Sequence, residues 1–95
     1  MERQTNYAMT DATHNDAEAL ALAALAATLT DERRAERFLS LTGLSPDGIR
    51  LRVSDPALLA ACIAFLEAHE PDLIAVAEDV GVKPEQLIRA KAALE

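Results

Sequence analysis

The chain has 95 residues, 51% hydrophobic and 3% aromatic, with a formal net charge of −7. That composition describes one domain, too apolar to be disordered and too short to build a deep cleft over a large core. The negative charge is repelled by phosphate backbones, which disfavours nucleic acid as a partner, and the single cysteine, Cys62, excludes an internal disulfide.

The acids are unevenly placed. Residues 53–82 hold six of them and no Lys or Arg. Alanine is abundant and β-branched residues are few, which favours helix over strand. The start, Met1-Glu2-Arg3-Gln4-Thr5-Asn6, has no apolar leader, and the longest apolar run, residues 19–27, is too short to cross a bilayer. A cytoplasmic, acidic, bacterial protein is expected.

Residues 1–14 are polar and aperiodic and read as a flexible tail, with residues 15–95 as a single helical domain. Asn15 and Glu18 form a capping-box pattern, so the first helix is expected to start near Asn15 or Asp16. From residue 17 to 29 only Glu18 and Thr28 are polar, which marks a central helix buried on most sides. Leu20, Leu22, Leu25 and Leu29 do not share one narrow stripe. Thr30 is expected to cap a second helix running to about Thr42, with Ala35, Phe38, Leu39 and Thr42 inward and Leu41 beside them. Gly43 then stops it.

Ser45-Pro46 opens a short third helix and Ser54-Asp55-Pro56 a fourth, whose Leu58, Leu59, Cys62, Ile63, Phe65 and Leu66 are core candidates. Pro71 marks a break after Glu70. A fifth helix follows with Leu73, Ile74, Val76, Ala77 and Val80 inward, stopped at Gly81. Lys83-Pro84 opens a sixth, with Leu87, Ala90, Lys91 and Leu94 on one side. No segment alternates long enough to be a strand. The fold class is therefore all-α, a compact bundle of five or six short helices packed around the first and fourth. The stretch from Gly43 to Arg50 echoes that from Gly81 to Leu87. Each has a glycine stop, an apolar plug, a cap, a proline and an acid.

Few residues point to chemistry. The pair of helices over residues 73–94 has helix-turn-helix spacing through Ala77, Gly81, Val82, Leu87 and Ala90. DNA binding is the alternative reading, but Glu85 would face the groove and acids crowd the supporting helix, whereas a DNA reader presents a basic footprint. Arg33, Arg34 and Arg37 form the only local basic group, and Glu32 and Glu36 interleave with them as possible i,i+4 partners. His14 and His69 stand alone, which gives no metal-ligand spacing. Cys62 sits among apolar residues and reads as a small hydrophobe. Three glycines leave no phosphate-binding loop. No enzyme activity, no cofactor and no metal are expected.

The order Ala17-Glu18-Ala19-Leu20-Ala21-Leu22-Ala23-Ala24-Leu25, then Arg37-Phe38-Leu39-Ser40-Leu41-Thr42-Gly43-Leu44, then Asp55-Pro56, Phe65-Leu66 and Val80-Gly81-Val82 resembles a family of short bacterial proteins of unknown function, mostly from alphaproteobacteria. The resemblance covers the chain after about Asn15. It implies a compact helical domain and transfers no activity or functional residue.

The expected role is a protein-interaction or regulatory module whose partner is another protein. No contact with a membrane is expected. The candidate surface is Leu22 and Leu29 with Arg33, Arg34 and Arg37. The other helices are expected to wrap the first completely and give a monomer; a dimer through an uncovered side of that helix is the alternative.

Overall fold

The computed structural model describes the backbone of residues 2–95 and the side chains of residues 16–95. Among these, six helices follow one another: α1 (Glu2–Thr30), α2 (Glu32–Thr42), α3 (Pro46–Leu51), α4 (Pro56–Glu67), α5 (Glu70–Val80) and α6 (Pro84–Leu94). The all-α bundle is as expected.

The helix ends follow local chemistry. Asp31, Ser45 and Asp55 each accept a backbone N–H into the helix they open, and Pro46, Pro56, Pro71 and Pro84 each lie in a first turn, where a missing N–H costs nothing. Gly43 and Gly81 close α2 and α5 at φ +72° and +85°, a region that side chains with a Cβ avoid. The two echoing corners share this glycine stop and differ beyond it: Val82 N–H goes to the Ala77 carbonyl, whereas Leu44 N–H goes to the Thr42 hydroxyl.

Three boundaries differ from expectation. α1 begins upstream of Asn15, because residues 2–14 contain no Pro or Gly to stop a helix. The flexible tail expected over residues 1–14 falls outside the residues whose side chains are described. Asp31, not Thr30, caps α2: the Thr30 hydroxyl turns back to the Ala27 carbonyl at 2.8 Å, while Asp31 accepts from the Arg34 N–H at 2.9 Å. The break before α5 comes at His69, its N-cap, and Pro71 lies inside the helix.

α1 is central. It packs on α2, α4, α5 and α6, and α4 and α6 pack on each other. Its inward side is built from small residues, Ala17, Ala21, Ala24 and Thr28 with Leu25. Alanines at this spacing let the axes of α4 and α6 come close. Against them lie Leu58, Leu59, Cys62, Ile63 and Leu66 of α4, Leu73, Val76 and Ala77 of α5, and Leu87 and Ala90 of α6, with Phe38 and Ile49 closing the core. Phe38 meets Phe65 edge to face, ring centroids 5.3 Å apart.

The complete wrapping of α1 does not occur. Ala19, Ala23 and Ala26 are exposed and Leu22 is 43% exposed, because the closely packed alanine side uses up the neighbours. Leu41, expected beside the α2 stripe, is 70% exposed, and Ile74 of α5 is also exposed.

Candidate functional site

On α1, Leu22, Leu25, Ala26 and Leu29 follow the i, i+3, i+4, i+7 spacing of one helix side. Grouping Leu20 with the other leucines hid this spacing. Opposite them stand Ala35 and Leu39 of α2 and Pro46, Ile49 and Arg50 of α3, followed by Val53. Together they line an apolar groove of about 370 Å³. Arg50 is its one charged lining residue. The Arg50 guanidinium lies 3.1 Å from Asp47, and both side chains are largely in water, so the pair is weak and free to exchange partners. Of the candidate residues, Leu22 and Leu29 come together here. Leu39, expected inward on α2, lines the groove, whereas Ile49 and Val53 carried no signal, because only the fold brings α3 and the residues after it alongside α1.

The arginines separate. Arg33 is exposed. Arg34, only 8% exposed, is buried; its Nε faces Asp72 Oδ1 at 3.4 Å and its Nη1 reaches the Ala27 carbonyl at the end of α1. Arg37 donates to the other Asp72 oxygen and lies over the Phe65 ring at 5.6 Å. His69 Nδ1 is 3.0 Å from that same oxygen. Burial pushes the Asp72 carboxyl up, but hydrogen bonds and charge from Arg37 and His69 outweigh it and hold the group below the ordinary 3.8. Arg34 and Arg37 therefore fasten α2 to α5 and do not form a free basic surface. Their partner is Asp72, not Glu32 or Glu36. The Asp72 role had no local signal, since an acid in a first turn ordinarily serves its own helix.

Elsewhere, Cys62 is buried, which raises its thiol to about 11 against a small lowering from Thr28. The Thr28 hydroxyl proton goes to the Ala24 carbonyl at 2.7 Å, so the Thr28 oxygen, 3.5 Å from Cys62 Sγ, is left to accept the S–H. Lys91 Nζ lies 2.7 Å from Glu67 Oε1, off the ideal hydrogen-bond direction, and this contact raises the Lys91 ammonium above its ordinary value. No group of three His, Cys, Asp or Glu side chains that could hold a metal occurs among the described residues. No helix among them is long and apolar enough to cross a membrane. His14 lies outside the described side chains.

Residues 14–95 match the family model of a protein of unknown function, DUF3572. The chain belongs to that family. No curated protein and no solved structure matches it. In this DUF3572 chain α5 and α6 are joined by a short turn at Gly81, with Leu87 and Ala90 of α6 buried. Its exposed acids are Glu70, Glu78, Asp79 and Glu85, against exposed Lys83 and Arg89. The third cation, Lys91, is tied to Glu67.

Proposed function

We propose that this domain is a cytoplasmic protein-interaction module that works as a monomer and binds its partner through the groove between α1, α2 and α3. The observation that carries the reading is Leu22, a large apolar residue 43% exposed at the mouth of an apolar groove. A side chain there loses contact with water when a partner seats, at about 25 cal/mol per Å² of apolar surface covered. The acids of the α5–α6 corner weigh against DNA binding, and a buried, protonated Cys62 thiol weighs against a nucleophilic enzyme.

Leu22→Glu tests this. The variant is expected to lose capture of the partner that the wild-type chain retains, while its melting temperature stays nearly unchanged. A large fall in melting temperature would place Leu22 in the core and remove it from the binding surface.

A further inference from the structure

The echo between the two corners extends through most of the bundle. α2 and α5 are both 11 residues long. Their first residues, Glu32 and Glu70, and their last, Thr42 and Val80, stand as far apart as Arg34 and Asp72, 38 positions. The same shift carries Gly43 to Gly81, Pro46 of α3 to Pro84 of α6, and the second half of α1 onto α4. Burial follows it. Ala21 and Leu59, Ala24 and Cys62, Leu25 and Ile63, Phe38 and Val76, and Ile49 and Leu87 are all core pairs. α1 packs on α2 as α4 packs on α5, and the equivalent helices α1 and α4 pack on each other. Arg34 and Asp72, also equivalent, meet directly.

One difference between the halves bears on the groove. α6 has 11 residues and closes a seam against α4, where Lys91 meets Glu67. α3 has six, because the chain must restart as α4 at Asp55-Pro56. The shift puts Leu29 at the place of Glu67 and Val53 at the place of Lys91, and both line the open groove. Leu22 likewise stands at the place of Ala60, which is buried. At these positions the first half therefore presents more apolar residues, along a seam that has too short a helix to close it.

We infer that the groove is the open counterpart of the α4–α6 seam, and that its occupant is an amphipathic helix of a partner protein. This rests on the interaction reading above and names the partner's chemistry. A space of about 370 Å³ takes two or three apolar side chains, which a helix supplies at i and i+3 or i+4. The lone lining cation, Arg50, calls for an acid beside those side chains, and its exposed Asp47 contact yields to one. No acid lines the groove, so an acid-bearing helix meets no like charge among the residues it touches. A second copy of this chain is a poorer occupant, since it brings a net charge of −7 where a short helix brings only an acid or two.

The test uses the full chain and three probes: a short amphipathic helical peptide with leucines at i, i+3 and i+4 flanked by glutamates, the same peptide with serines for leucines, and laurate. With the leucine peptide, methyl signals of Leu22, Leu25, Leu29, Ile49 and Val53 are expected to shift and saturate. Leu22→Glu should weaken that binding by about tenfold or more, and Arg50→Glu by about fivefold. The serine peptide and laurate should leave these signals in place. Shifts with laurate but not with the leucine peptide would make the groove an acyl pocket and overturn the inference, as would unmoved groove methyls with every probe. If Leu22-dependent capture of a partner persists while the peptide has no effect, the helix occupant is wrong and the interaction reading stands.

Discussion

Asp72→Ala removes the anion that joins α2 to α5. It strands Arg34, whose side chain is only 10% exposed, with a single long contact to the Ala27 carbonyl. Breaking a buried ion pair from one side costs about 3–5 kcal/mol. Arg37 is 47% exposed and regains water, and Arg34 keeps its carbonyl, so about 2–3 kcal/mol is the expected loss. In a domain of this size each kcal/mol moves the midpoint by about 4–8 °C, so the melting temperature should fall by roughly 10–20 °C. Urea unfolding followed by far-ultraviolet circular dichroism gives the free energy directly. Acid provides a second reading. The folded-state Asp72 carboxyl titrates below its ordinary 3.8, so its stabilisation is present above that pH and fades as pH falls through the lower folded value. Asp72→Ala should accordingly flatten the acid limb of the stability profile below about pH 4. A loss under about 0.5 kcal/mol with an unaltered acid limb would refute the view that this cluster holds the two helices together.

Gly43→Ala and Gly81→Ala should each cost about 1 kcal/mol or more, through backbone strain alone, since a Cβ at either site meets nothing within 4 Å. Gly48→Ala, inside α3 with a Cβ only 3.4 Å from the Ser45 hydroxyl, should be neutral or stabilise by about 0.5 kcal/mol; a cost equal to that at Gly81 would contradict the assignment. Cys62 should resist iodoacetamide at pH 8 in the folded chain and react promptly in denaturant, as its raised thiol and burial require; mass spectrometry of timed samples distinguishes the two. Sedimentation equilibrium at tens of micromolar should return the mass of one chain, and twice that mass would sink the monomer proposal.

The sequence made the helix ends legible wherever a rigid or flexible residue dictates the backbone. Ser45-Pro46, Asp55-Pro56, Gly43 and Gly81 act locally, and each stands where its chemistry places it. The start of α1 was hidden for the opposite reason. No residue there forbids the helix, so the cap pattern at Asn15 and Glu18 did not take effect. The inward side of α1 was also hidden. Hydrophobicity ranks leucine above alanine, yet closeness of approach decided the contest, and Leu22 was left outside. The candidate site was half legible. Leu22 and Leu29 stood out as leucines with no obvious cover. Arg34 looked like surface because Asp72, its partner, lies in a different helix. The groove's other wall comes from α3, which no local pattern sets beside α1.

The alanines of α1 also limit what the chain can become. At Ala21 and Ala24, both without exposed surface, the requirement is an upper limit on size, not apolarity as such. Leu59, Ile63 and Leu66 can trade among leucine, isoleucine and methionine with modest repacking. One added methyl at Ala21 or Ala24 must wedge two helices apart. Within the core, sequence drift should therefore be freest where side chains are large and most restricted where they are smallest.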